Sequence, residues 1–123
     1  MLLDGLRSLA AKHEIVNGVR GRGLLVGVEF HEASGLMMKA VPRWAREGLY
    51  ANVVCTLLLR DHRVLTQPCS LRENVLRAEP PLTVEVHEIE RFIDAVDRTL
   101  RACRSHRSAL GSAFRKRILG RDL

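Results

Sequence analysis

Residues 75–103 read VLRAEPPLTVEVHEIERFIDAVDRTLRAC, and the hydrophobic period changes inside that stretch. Val75 to Ala78 forms a short apolar run closed by Pro80 and Pro81, which reads as a brief strand. After the prolines, Val86, Ile89, Ile93, Val96, Leu100 and Cys103 recur three or four apart, and Phe92 widens the stripe. That spacing puts one apolar face along a long helix. Glu85, Glu88 and Glu90 crowd its first turn and basic residues gather at its far end. Both placements suit the helix dipole. A strand running into a long one-sided helix implies a sheet for that helix to cover.

Working back towards the N-terminus, Val64 to Gln67 reads as a strand stopped by Pro68, although residues 57–72 admit more than one assignment. Tyr50 to Cys55 reads as another strand. Pro42 suits the first turn of a short helix through Trp44 and Ala45, with Gly48 as its stop. Leu24, Val26, Val28 and Phe30 alternate with Leu25, Gly27 and Glu29, as in a half-buried strand. Gly27 calls for a close neighbour on its side, such as a helix backbone. Gly18, Gly21 and Gly23 read as a turn before it. Leu2, Leu6, Leu9 and Ala10 repeat at helical spacing, which predicts a helix over residues 2–13. The expected order is helix, strand, helix, strand, strand, helix. That is an α+β architecture, a small sheet with helices covering one face.

At 123 residues, 46% hydrophobic and 28% charged, the chain suits one domain with a modest core. The longest mostly apolar stretch, Leu49 to Leu59, is too short to span a bilayer. Asp4 stands close behind Met1 with no basic-then-apolar run, so no secretory signal is expected. Cys55, Cys69 and Cys103 are odd in number and show no C-x-x-C, against a zinc site or a disulfide framework. A reducing cytoplasm is the expected compartment.

The net charge of +6 is unevenly spread. Residues 1–100 hold 13 basic and 13 acidic side chains, whereas residues 101–123 hold seven basic ones against Asp122. Such a tail can attract phosphates. A solvated helix end accounts for it more simply, and only Phe114 offers a ring for base stacking. Leu110, Phe114 and Ile118 suggest a last amphipathic piece.

Few residues carry a chemical signature. Gly21-Arg22-Gly23 lacks the spacing of a phosphate loop and precedes a strand instead of opening a helix. His13, His31, His62, His87 and His106 are scattered, without the i, i+4 pairing of a metal site. Lys12, Lys39 and Lys116 read as solvent-exposed; a lysine that forms imines must be desolvated. Asp4, Glu29 and Glu79 show no acid–base spacing, and Glu29 faces either a partner or an arginine. Arg77 stands apart. It lies on a short strand just before two prolines that stiffen the chain. A guanidinium held there is suited either to clamp a carboxylate in two-point fashion or to a structural ion pair.

Val19 to Glu29 (VRGRGLLVGVE) resembles a "VRGxGLxxGxE" segment of the class-III aminotransferases, and Val75 to Thr83 (VLRAEPPLT) resembles their "xxRxxPPLxx" segment. Both occur in the family's order, ahead of a similar closing helix, and the resemblance covers roughly residues 2–105. It implies the C-terminal small domain of a fold-type-I enzyme over residues 1–105, with 106–123 as a basic helical tail. It also implies pyridoxal phosphate as cofactor, held by a large domain that has no counterpart in this sequence. The expected partners are that large domain or subunit, a second copy in a homodimer, and small amine or amino acid and 2-oxo acid substrates. Membrane and nucleic acid are not expected. Of the family's functional positions only Arg77 carries over, as the arginine that in many members meets the substrate carboxylate or a gating glutamate; Gly21, Gly23 and Gly27 match as structural glycines. Glu85 departs from the family's usual Ser or Thr cap, and residues 57–72 run longer. By the same reading the chain is a fragment, a split subunit or a truncated product, inactive alone. The alternative is a non-catalytic interaction module exposing the face that once met the large domain.

Overall fold

A computed structural model describes residues 1–34 and 36–105. The expected tail helix around Leu110, Phe114 and Ile118, and the basic residues from Arg107 onward, lie outside the described residues. Helix α1 (Leu2–Lys12) leads into strands β1 (Val16–Arg22) and β2 (Leu25–Phe30). A short 3-10 turn (Leu36–Ala40) precedes helices α2 (Arg43–Glu47) and α3 (Leu49–His62), strands β3 (Gln67–Pro68) and β4 (Val75–Ala78), and helix α4 (Val86–Ser105). The strands form one antiparallel sheet in the order β1-β2-β4-β3. The expected α+β class and one-sided helix cover are what the chain adopts.

The alternation read in β2 sorts its side chains to two faces. Val26, Val28 and Phe30 are buried, together with Leu76 and Ala78 of β4. Leu2, Leu6 and Leu9 of α1, Val54 and Leu58 of α3, and Val96 and Leu100 of α4 close over that face into one core. Burying each such aliphatic or aromatic side chain contributes about 1.5–3 kcal/mol, so these three helices are what hold the sheet. Val86 belongs to the expected α4 stripe but is exposed, because the stripe turns inward only from Ile89. Thr99 is buried on the same helix and donates its hydroxyl to the Ala95 carbonyl at 2.8 Å. This internal partner removes the cost of an unsatisfied polar group.

Four readings need correction. Tyr50 to Cys55 lies within helix α3. Ala51, Val54, Cys55 and Leu58 are buried at helical spacing, so a continuous apolar face against the core outweighs the strand preference of Tyr and Val. The helix ends without a glycine. Arg63 adopts φ 58°, and the N–H groups of Arg63 and Val64 close onto the carbonyls of Leu59 and Leu58. Secondly, Gly18 and Gly21 lie inside β1, and only Gly23, at φ +60°, makes the turn. With Leu24 it forms a two-residue hairpin loop, the geometry of a type II′ turn. Thirdly, Gly27 meets the Val75 side chain and not a helix; a Cβ there would lie 3.1 Å from Val75 Cγ1. Fourthly, the strand expected at Val64 to Gln67 with Pro68 as its stop is instead Gln67–Pro68, with Pro68 paired to Leu76.

Candidate functional site

Among the described residues, one sheet face carries no helix, and it collects the charged side chains. Strand register aligns Arg20 of β1 with Gly27 of β2, Gly27 with Arg77 of β4, and Arg77 with Gln67 of β3. Because successive side chains point to opposite faces, Arg20, Glu29, Val75 and Arg77 share this side. Gly27 leaves a gap in the row, partly filled by Val75, with a guanidinium on either flank.

The two arginines are held differently. Arg20 donates to Glu29, which also accepts from Asn17 Nδ2 at 3.3 Å. Burial pushes the Glu29 carboxyl up, but the hydrogen bonds from Arg20 and Asn17 and the charges of Arg20 and Arg72 outweigh it. The group sits below the usual carboxylate range. Glu29 therefore faces an arginine, one of the two alternatives its position allowed. Arg77 donates to Glu79 from both Nε and Nη2. Both side chains are more than one third exposed, so this pair contributes little to stability.

Cys69 lies beside Arg77, and nothing in the sequence had marked it. The backbone N–H groups of Leu71 and Arg72 hydrogen-bond to its sulfur and, with the charges of Arg77 and Arg72, hold the thiol below its usual range. Its isolation from any motif hid it, since the loop that supplies those donors is set by the fold. Next to this loop an open groove of about 790 Å³ runs between Trp44, Arg43, Leu71 and Glu73. A second, mostly apolar cavity of about 210 Å³ lies behind Glu79, between Pro80, Leu65 and Phe92.

The other candidate residues stay apart. Lys12 and Lys39 are exposed, and Lys116 and His106 lie outside the described residues. Among the described residues no three His, Cys, Asp or Glu side chains converge on a metal position, and no helix is long and apolar enough to cross a membrane. His13 is buried and bonds to Asp97 Oδ1 at 2.7 Å, tying α1 to α4.

These features define a small α+β domain with one face packed under helices and the other presenting arginines. The chain belongs to the class-III aminotransferase family, whose profile matches residues 1–100. It is 33% identical over 99 residues to the acetylornithine aminotransferase of Caldanaerobacter subterraneus subsp. tengcongensis, covering 79% of this chain and 20% of that protein. It is 33% identical over 94 residues to the L-lysine-epsilon aminotransferase of Streptomyces clavuligerus, covering 76% and 17%. Its fold matches adenosylmethionine-8-amino-7-oxononanoate aminotransferase from Methanocaldococcus jannaschii with a TM-score of 0.62 at 28% identity, over 82% of this chain and 21% of that one. The chain thus spans about a fifth of the length of the relatives it matches.

The family implies pyridoxal phosphate, and the described residues do not fit it. The cofactor's imine needs a desolvated lysine, whereas Lys12 and Lys39 face solvent and neither cavity is lined by a lysine.

Proposed function

We propose that this chain acts as the C-terminal small domain of a pyridoxal-phosphate-dependent class-III aminotransferase, with residues 1–105 as the domain and 106–123 as a basic appendage. The cofactor and its lysine are supplied by a large domain or subunit beyond these 123 residues. The reaction is amino-group transfer between an amine or amino acid and a 2-oxo acid. This domain's part is to close over the site, exclude water and orient the substrate carboxylate through Arg77. The observation that carries the reading is the family match across residues 1–100 combined with Arg77 on the sheet face that no helix covers among the described residues. A guanidinium fork on a strand end stiffened by Pro80 and Pro81 suits two-point recognition of a carboxylate. The compartment of this reading is the cytoplasm, in keeping with Cys55, Cys69 and Cys103 as free thiols, and the assembled enzyme is a homodimer.

Mixing the purified chain with pyridoxal phosphate and recording absorbance tests the division of labour. The expected spectrum is that of free cofactor. A new lysine-linked band saturating at one equivalent overturns it.

A second reading is favoured by the exposure of Trp44, Leu71 and Leu82: a non-catalytic interaction module derived from the same domain. Light scattering separates the two. Self-association at low concentration favours the module, and a monomer removes that support.

A further inference from the structure

The cavity behind Glu79 takes no part in the function proposed above. It holds about 210 Å³ and lies on the helix-covered side of β4, since Ala78 lines it and strand alternation turns Arg77 to the opposite face. Its floor is Leu2, Ala78 and Ile89, all buried, and the Phe92 ring forms part of its wall. At its mouth Leu65 is 81% exposed. An apolar cavity of about 150 Å³ holds benzene, so this one has room for a ring with a short arm. Among the described residues, the only charged side chains lining it are Glu79 and Glu88. Each spends one oxygen within the domain. Oε1 of Glu79 takes Arg77, and Oε2 of Glu88 accepts the Glu85 N–H at 2.8 Å. The other oxygen of each has no donor among the described residues. The cations of neighbouring segments are turned elsewhere. Arg91 donates to the His62 carbonyl at 3.5 Å, the amino terminus of Met1 lies 3.7 Å from Asp4, and neither lines the cavity.

We propose that this cavity is a binding site for a small arylalkylammonium ion, with the ring in the hollow against Phe92 and the ammonium at the undonated oxygens of Glu79 and Glu88. The walls supply the apolar contacts, and two aromatic rings in contact add to them. The carboxylates select the charge: a hollow edged by anions and no cation favours a positive head over a neutral or negative one. The site stands apart from the reading of Arg77 and from the cofactor, and binding makes no covalent change. An exposed ion pair favours the ammonium over a neutral molecule of the same shape by about 1.4-fold to 5-fold for each carboxylate.

Phenethylammonium is a suitable probe and 2-phenylethanol its neutral counterpart. Each is titrated into the 123-residue chain at constant ionic strength while the methyl resonances of Leu2, Ile89 and Val16 are followed by ¹³C NMR. Both ligands are expected to move Leu2 and Ile89 saturably and to leave Val16, on β1, in place, with the ammonium binding at least about 1.4-fold more tightly. Glu88→Gln keeps a side-chain oxygen for the Glu85 N–H. It is expected to weaken the ammonium about 1.4-fold to 5-fold and to leave the alcohol unchanged. Equal affinity of the two ligands for the native chain overturns the assignment of a cation. So does a Glu88→Gln chain that weakens both alike, because the carboxylate then acts only through the helix end. Should Leu2 and Ile89 show no saturable movement with either ligand, the site itself falls.

Discussion

Replacing His13 with alanine removes the side chain that ties α1 to α4. The backbone bonds of His13, its N–H on the Leu9 carbonyl and its carbonyl accepting from Val16, remain in the variant. The imidazole is 5% exposed and its Nε2 lies 2.7 Å from Asp97 Oδ1 on α4. A hydrogen bond to a charged group contributes about 1.5–3 kcal/mol. Asp97 keeps Arg101, at 2.8 Å from its other oxygen, so it is not left unpaired and the loss should stay near 2 kcal/mol. For a domain of this size that lowers Tm by roughly 8–16 °C. The hydrogen bond from His13 is also the largest influence holding the Asp97 carboxyl below its ordinary 3.8, with the charges of Arg101, His13 and Lys12 adding to it against burial. A group whose folded pKa is depressed contributes stability above its unfolded value and loses it as pH falls through the folded one. The difference between native and variant is therefore expected in full at neutral pH and to narrow below about pH 4. Urea unfolding at several pH values measures both. A loss under about 0.5 kcal/mol at neutral pH, or a difference that stays constant down to about pH 3, refutes the reasoning.

Two further outcomes follow from the same packing and loop geometry. Leu58→Ala should cost about 2–5 kcal/mol because Leu58 is fully buried on α3, while Leu59→Ala, half-exposed beside it, should stay within about 0.5 kcal/mol; equal losses in chemical denaturation overturn the helical phase of residues 49–62. Cys69 should be the first thiol alkylated by iodoacetamide near neutral pH, since burial raises the Cys55 thiol and pushes that of Cys103 up to about 11; peptide mapping that finds Cys55 or Cys103 labelled first contradicts this.

Elements whose own side chains declare one period were legible in advance. Helix α4 and strand β2 each present a single apolar face, and that face selects helix or strand before any partner is known. The pair of segments at Val19–Glu29 and Val75–Thr83 led to the same family that the profile match over residues 1–100 establishes. Helix α3 was misread because Tyr50, Val53 and Val54 prefer strands locally, while the helix stops at Arg63, a non-glycine left-handed residue with no sequence signal.

What the sequence determined alone, then, was the α+β class, the position of Arg77 on a short strand before two prolines, and the family. What only the tertiary structure decided was the company those residues keep. Arg77 meets Glu79, Arg20 meets Glu29, and His13 meets Asp97 across 84 residues. Hydrophobic periodicity is written along the chain and survives in any context. Which charge lies opposite which depends on strand register and helix packing, and neither exists until the core has closed.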